Sequence, residues 1–179
     1  MYNVLNLDSD GVIYDLTGQL ARMDGYSYMR YWFDQAHIRG MSYNDYFTER
    51  MNEQIPNGLF YKGNALHDAE HLLEHLVLIK LKYNIKLNLL TAAPHDSPLF
   101  EEVKRQKLDW YKKVGYDTFF DELIVTNGSW GKLDYSHEKS ILIDDHIGSQ
   151  RRFNEKELPF ILHRSAKDSI HQLEKILPL

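Results

Sequence analysis

The stretch Val4-Leu5-Asn6-Leu7-Asp8-Ser9-Asp10-Gly11-Val12 decides the fold of this chain. It opens with a short apolar run, which is typical of a strand buried on both faces of a parallel sheet. Two carboxylates follow at positions i and i+2, so on an extended segment both side chains can point the same way. Gly11 then allows the chain to turn sharply. The stretch predicts an α/β protein with two acidic groups at the end of its first strand.

Four more apolar runs extend this pattern along the chain. They lie at 87–90, 123–125, 141–143 and 160–162, and each is short enough to be a buried strand. Helix candidates lie between them at 64–82, from an N-cap at Ser97 to about Gly115, and from an N-cap at Ser165 onward. Strands that alternate with helices predict a doubly wound parallel sheet with right-handed crossovers.

One region departs from this alternation. Residues 15–62 contain no run suited to a parallel strand, but they hold two aromatic-rich patterns at 26–38 and 43–54. We therefore expect residues 15–62 to form a small helical cap, inserted after the first strand. Residues 1–14 and 63–179 would form the core.

In open parallel sheets, ligands bind outside the carboxyl ends of the strands. In this chain, polar groups follow the predicted strands at those ends. Asp8 and Asp10 follow the first strand, and Asp144 and Asp145 follow the fourth. The second strand leads into Thr91 and Ala92, and Lys132 lies in the loop beyond the third strand. Four carboxylates, a hydroxyl and an amine are thus expected to meet at one edge.

Four carboxylates in one cleft repel each other strongly unless a cation compensates them. An oxygen-rich set of this kind favours a hard cation, and Mg²⁺ accepts a substrate phosphate as a further ligand. Lys132 would add positive charge, and Thr91 with the backbone N–H groups that follow it would bind phosphoryl oxygens. The pattern predicts a site for a phosphate monoester.

The spacing of the first two carboxylates suits a two-step reaction. Asp8 can attack phosphorus and form an aspartyl-phosphate. Asp10 can protonate the leaving oxygen and later take a proton from the attacking water, which requires that its pKa be raised.

The ordered set resembles the four motifs of the haloacid dehalogenase-like (HAD) phosphohydrolases. It consists of Asp8-x-Asp10-Gly11-Val12, Thr91, Lys132 and Ile-Leu-Ile-Asp144-Asp145, and it spans about residues 4–146. The resemblance implies that Asp8 is nucleophile and metal ligand, and that Asp10 is acid/base and binds Mg²⁺ through its backbone carbonyl. Asp145 would be the third protein ligand, with Asp144 beside it as an orienting group or alternative ligand.

Within that superfamily the chain is most similar to the 5'(3')-deoxyribonucleotidases. The similarity rests on the first motif, the short helical insert, Leu90-Thr91-Ala-Ala-Pro94 and Leu142-Ile-Asp-Asp145. It implies a nucleoside monophosphate as substrate. Leu16 departs from the pattern, because an aromatic residue is expected at that position. A 3'-phosphatase of nucleic-acid ends, a sugar-phosphate phosphatase and a catalytically silent metal-binding interaction protein remain as alternatives.

Composition limits the class of protein further. The chain has 179 residues, no cysteine and a formal net charge of -5, so disulfide scaffolds, thiolate zinc sites and nonspecific nucleic-acid binding are disfavoured. No apolar run approaches the ~20 residues needed to cross a bilayer. The first residues lack the features of a signal peptide, so we expect a cytoplasmic protein without a membrane partner. The sequence leaves the oligomeric state open.

Three other motif interpretations are weaker. A calcium loop fails because Val12 and Ile13 occupy a ligand position and the glycine position. A phosphate-binding P-loop fails because Leu133 follows the lysine where Ser or Thr is required. The run His67-Asp-Ala-Glu-His71 matches a zinc motif, but on the predicted helix these histidines lie mostly on a solvated face. Lys139 competes with Lys132, but it lies too near the start of the fourth strand.

Overall fold

The architecture is a five-stranded, all-parallel sheet flanked by helices. A computed structural model describes residues 2–179. The strands are β1 (Val4–Leu7), β2 (Lys86–Ala93), β3 (Glu122–Asn127), β4 (Ser140–Asp144) and β5 (Phe160–Leu162), in the spatial order β3-β2-β1-β4-β5. The helices are α1 (Leu16–Met23), α2 (Met29–Ile38), α3 (Tyr43–Gln54), α4 (Leu59–Lys62), α5 (Ala69–Tyr83), α6 (Phe100–Val114), α7 (Ile147–Glu155) and α8 (Ala166–Glu174). The predicted doubly wound α/β fold is confirmed.

The strand order places a crevice beside the end of β1. The chain moves from β1 to β2 and β3 on one side, and then returns to β4 and β5 on the other. Leu7 pairs in register with Leu89 of β2 and with Ile143 of β4, so the residues after these positions emerge at one edge. A reversal of strand order is the place where open parallel sheets bind ligands.

The apolar runs become buried strands for the predicted reason. Leu5, Leu7 and Leu89 are fully buried, since helices cover both faces of the central strands. Strands β2 and β3 continue beyond the predicted runs, because the pairing of the two strands extends to Ala93 and Asn127. Thr91 therefore lies within β2, not after it.

Two helix starts were predicted wrongly. The helix expected at 64–82 begins at Ala69, because the preceding segment pairs with the chain leaving β1: Leu66 N donates to Ile13 O at 2.7 Å, and Asp15 N donates to Asn64 O at 3.0 Å. The helix expected from Ser97 begins at Phe100, after a turn in which Leu99 N donates to Ser97 Oγ at 3.1 Å. Its predicted end is confirmed, since Gly115 adopts φ 77°.

The segment between β1 and α5 holds the helices α1 to α4, and α2 and α3 lie close to the two aromatic-rich patterns. Trp32 is fully buried, and its ring centroid lies 5.1 Å from that of Tyr46. Helix α1, which the patterns did not predict, ends at Met23 and has Asp24 as its C-cap. The Asp24 carboxylate accepts hydrogen bonds from Trp32 Nε1 at 2.7 Å, Arg50 Nη2 at 2.6 Å and Gln54 Nε2 at 3.0 Å, and so ties α1, α2 and α3 together. The division into a core and a 15–62 cap stays a prediction.

Among residues 2–179, no helix is both long and apolar enough to span a membrane.

Candidate active site

Three carboxylates meet at the carboxyl edge of the sheet. Asp8, Asp144 and Asp145 each offer an oxygen, and these oxygens lie within 4.8 Å of one another. The sheet brings the strand ends together, since Asp8 N donates to Ile143 O at 2.9 Å. Asp8 and Asp144 are buried, whereas Asp145 is accessible from the cleft. The side chain of Asp10 contributes to the same cleft but lies outside this cluster.

Gly11 permits the Asp145 side chain to lie close to the loop that follows β1. Its φ is +76°, which L side chains rarely adopt, and a Cβ built on it would lie 2.0 Å from Asp145 Oδ2. Any larger residue at this position would therefore displace the Asp145 carboxylate. The glycine of the first motif is needed both for the turn and for the carboxylate cluster.

Lys132 lies within the carboxylate cluster. Its Nζ is 2.9 Å from Asp8 Oδ1 and 2.8 Å from Asp144 Oδ2. Burial alone would lower the pKa of this ammonium, but the two carboxylates outweigh burial and hold the pKa above its usual range. Lys132 sits in a 3₁₀ segment, Ser129–Tyr135, that follows β3. Lys139 is exposed and precedes β4, away from this edge.

The remaining contacts of the cluster fix its carboxylates. Asp8 Oδ1 accepts a hydrogen bond from Ser9 N at 2.8 Å, and Asp144 Oδ1 accepts one from His146 N at 2.8 Å. Burial and the charge of Asp8 raise the pKa of Asp144. Burial in the cleft, followed by the charges of Asp8, Asp144 and Asp10, raises the pKa of Asp145 to about 7. Lys132 therefore leaves much of the negative charge uncompensated, as in a site that binds a cation.

A second buried lysine, which the sequence patterns did not single out, contacts the other half of the site. Lys107 of α6 places its Nζ 2.5 Å from Asp10 Oδ2 and 2.9 Å from Thr91 Oγ1. Burial raises the pKa of Asp10, and the Lys107 ammonium opposes that rise. The sequence held only a weak signal that Lys107 is buried. Lys107 lies four residues after Val103 in an amphipathic helix, so both side chains are on its buried face.

A cavity of about 480 Å³ opens in front of these groups. Its polar side includes Asp8, Asp10, Lys132 and Asp145, and Ala92 forms part of its wall. The lining also includes residues of α1, α3 and α4, namely Leu16, Thr17, Phe47, Thr48, Met51 and Phe60. A cavity lined both by charged groups and by apolar side chains suits a ligand that is anionic at one end.

The other candidate motifs do not form a site among the described residues. His67 precedes α5, so it does not share a helical turn with His71, and Asp68 Oδ2 instead accepts a hydrogen bond from Ala166 N at 2.7 Å. His146 lines the cavity and accepts from Ser149 N as the N-cap of α7. Arg152 donates to Ser129 Oγ at 2.8 Å and stacks on Trp130.

Comparison with known proteins relates the fold to several solved structures. A predicted phosphatase from Clostridium acetobutylicum is 14% identical with a TM-score of 0.55, and the match covers 100% of both chains. A candidate phosphatase from Clostridium difficile is 13% identical with a TM-score of 0.57 over 98% of each chain. A candidate HAD-hydrolase from Bacillus subtilis, YfnB, described as bound to magnesium, is 15% identical with a TM-score of 0.55 over 99% of each chain.

In sequence, no protein-family model matches the chain and no curated protein is significantly similar to it. At these identities the structural likeness establishes the fold. The chain has the α/β fold of HAD-superfamily hydrolase structures.

Proposed function

We propose that the protein is a Mg²⁺-dependent phosphomonoesterase that works through an aspartyl-phosphate on Asp8. The observation that carries the proposal is the position of Lys132 Nζ, 2.9 Å from Asp8 Oδ1 and beside the Asp144 and Asp145 carboxylates. The likeness of the fold to structures described as phosphatases supports the same reaction class. The motif resemblance then supplies the roles of the site residues, which are Asp8, Asp10, Thr91, Lys132, Asp144 and Asp145.

The donor set fits a magnesium ion. Asp8 and Asp145 would hold it through carboxylate oxygens and Asp10 through its backbone carbonyl, with Asp144 as orienting group or alternative ligand. Hard oxygen donors of this kind suit Mg²⁺. Burial and then the neighbouring carboxylates raise the pKa of Asp145, and a divalent cation would offset both effects. When bound, the ion would neutralise phosphoryl charge so that an anionic carboxylate can approach phosphorus.

In the first half-reaction a carboxylate oxygen of Asp8 forms a bond to phosphorus, and the bond from phosphorus to the leaving alcohol oxygen breaks. Asp10 gives its proton to that oxygen, so a neutral alcohol departs. In the second half-reaction Asp10 accepts a proton from water as the water oxygen bonds to phosphorus. The bond between Asp8 and phosphorus then breaks, which releases phosphate and regenerates the carboxylate.

Two side chains are suited to bind the phosphoryl oxygens. An ammonium has three donors, and Lys132 uses two of them on Asp8 and Asp144, so one remains for the substrate. The Thr91 hydroxyl accepts a hydrogen bond from Lys107 Nζ and keeps its own proton to donate, although Thr91 is fully buried and is not among the residues that line the cavity. The backbone at Ala92 borders the cavity beside them.

The substrate class we propose is a nucleoside monophosphate, with deoxyribonucleotides as the first candidates. A volume of about 480 Å³ is in the range of small-molecule sites. Phe47 and Phe60 line the same cavity as the carboxylates, and an aromatic ring suits stacking on a planar base. Residues 15–62 would act as the cap that shields the phosphate from bulk water.

A phosphate-release panel tests this function. Purified protein is assayed with deoxy- and ribonucleotides, 5'- and 3'-isomers, sugar phosphates and 3'-phosphorylated oligonucleotides, with Mg²⁺ or with EDTA. We expect turnover only with Mg²⁺, and the highest kcat/KM on mononucleotides. Sugar phosphates that match mononucleotides would exclude the nucleotide assignment and keep the phosphatase. Absence of turnover throughout the panel and with para-nitrophenyl phosphate would exclude the phosphatase and favour a silent metal-binding protein.

A further inference from the structure

Lys107 is a buried ammonium group that the reaction outlined above does not use. Its side chain is 1% exposed, and it reaches the site from α6, not from the strand ends that supply the motif residues. Burial of an ammonium costs free energy unless partners compensate it, so a lysine kept here needs a reason. Lys107, like its partner Thr91, is not among the residues that line the cavity.

The partners of Lys107 point to Asp10. Nζ lies 2.5 Å from Asp10 Oδ2, and a second hydrogen bond to Thr91 Oγ1 at 2.9 Å anchors the ammonium to β2. Lys132 holds Asp8 and Asp144 in the same way on the other side of the site. The two lysines therefore serve different carboxylates: one faces the nucleophile and the other faces the acid/base.

The segment 55–62 packs against Lys107 and its neighbour on α6. The Phe60 ring lies over Nζ, with 4.5 Å between the nitrogen and the ring centroid. The neighbouring Gln106 is also buried, and it accepts from Phe60 N at 3.0 Å and donates to Ile55 O at 2.7 Å. These contacts fix the position of α6 against the segment, and so fix the place from which Lys107 reaches Asp10.

We infer that Lys107 is a positioning residue that holds the Asp10 carboxyl in the orientation required for proton transfer to the leaving oxygen. The inference rests on the proposed function. A carboxyl that pivots freely about its side-chain bonds spends little time aimed at that oxygen, and small misplacements of a catalytic group cost large factors in rate. The ion pair with Lys107 restricts the Asp10 carboxyl, whose side chain is 22% exposed, to one orientation.

The test compares two leaving groups in Lys107→Met. Release of an alkoxide requires the proton from Asp10, whereas para-nitrophenolate leaves as a stable anion without it. The comparison uses kcat/KM with Mg²⁺, which reports only steps up to departure of the leaving group and so omits hydrolysis of the intermediate. We expect kcat/KM on a nucleoside 5'-monophosphate to fall about 100-fold, and on para-nitrophenyl phosphate less than about 5-fold, since general acid catalysis contributes ~10²–10⁴-fold.

Two further variants sharpen the result. Asp10→Asn is expected to give the same preference for the aryl substrate, and Lys107→Met combined with Asp10→Asn to add no further preference, because one residue acts through the other. Lys112→Met changes an exposed lysine of the same helix and is expected to leave both substrates unaffected. If circular dichroism shows that Lys107→Met is unfolded, the ratio of the two kcat/KM values is measured in Lys107→Gln instead.

Equal losses on both substrates in a folded Lys107 variant, or no loss on either, would overturn the positioning role. An additive double variant would overturn it as well. A wild-type protein that releases phosphate from neither substrate would instead overturn the proposed function, so the two failures are distinct.

Discussion

The ammonium of Lys132 lies 2.9 Å from Asp8 Oδ1, deep in the carboxyl edge of the sheet and almost fully removed from solvent. This pair sets the electrostatics of the site. One positive charge lies among three carboxylates, so the protein compensates only part of their negative charge. A bound cation would compensate the rest. The pair also links the end of β1 to the segment after β3.

Replacement of Lys132 is expected to destabilise the fold as well as abolish activity. Lys132→Met leaves Asp8 and Asp144 buried without their partner, and loss of one member of a buried ion pair costs about 3–5 kcal/mol. Urea unfolding at pH 7 without Mg²⁺ measures the change. Lys139→Met, at an exposed lysine before β4, is expected to stay within about 0.5 kcal/mol of wild type. Similar losses in the two variants would contradict the role of Lys132.

Magnesium is expected to stabilise the folded protein through Asp145. A ligand present at 100 times its dissociation constant adds about 2.7 kcal/mol to the free energy of unfolding. Asp145→Asn should remove most of this gain, because it deletes one anionic ligand. Thermal unfolding with and without Mg²⁺ measures the effect, and Asp134→Asn, at an exposed aspartate, is the control. A full magnesium effect in Asp145→Asn would exclude Asp145 as a ligand.

Gly11→Ala should disrupt the metal site more than the fold. The substitution carries a backbone cost of about 1–2 kcal/mol at positive φ, and its Cβ would meet Asp145 Oδ2 at 2.0 Å. Gly25→Ala is the matched control, because Gly25 has φ +84° but no atom within 4 Å of a built Cβ. Both variants are expected to lose stability to urea, and only Gly11→Ala is expected to lose magnesium stabilisation. Equal magnesium responses would show that the close approach of Asp145 is not needed.

Asp24 should be the polar anchor of helices α1–α3. Burial disfavours its carboxylate, but hydrogen bonds from Arg50, Trp32 and Gln54 outweigh burial and hold the pKa of Asp24 below its usual range. Asp24→Asn should cost about 2 kcal/mol at pH 7, in line with hydrogen bonds to charged groups. Asp34→Asn, at an exposed position of α2, should cost little.

The sign of the pH effect follows from the lowered pKa of Asp24. Its contribution is present above the pKa of the unfolded chain, about 3.9, and is lost as pH falls through the folded pKa. The stability difference between wild type and Asp24→Asn should therefore shrink in acid. A difference that stays constant down to the acid limit of folding would show that Asp24 does not act through its charge.

The sequence indicates the strands and the motif edge because these depend on local patterns. A short apolar run that ends in a polar residue predicts a buried strand, and parallel strands bring such ends together. This reasoning finds the five strands, but it places Thr91 and Asp144 after their strands, whereas they lie within β2 and at the end of β4. The start of α5 was missed because long-range pairing of residues 64–66 with the chain after β1 overrides the helical period.

Lys107 and Asp24 could not be found by the same reasoning. Lys107 meets Asp10 across 97 positions of the chain, through the packing of α6 on the sheet. Asp24 draws its partners from two helices whose relative placement no local pattern specifies. A lone lysine or aspartate in a helical region is normally a solvated residue, so such groups become visible only once packing is known.

The central claim is that Asp8 carries the phosphoryl group, and borohydride trapping tests it most directly. Borohydride reduces an aspartyl-phosphate to homoserine, which peptide mass spectrometry detects at a defined residue. During turnover with Mg²⁺ and substrate, homoserine is expected at Asp8, and it is expected to be absent without substrate and in Asp8→Asn. An active protein that gives no homoserine at Asp8, or gives it at another carboxylate, would contradict the account.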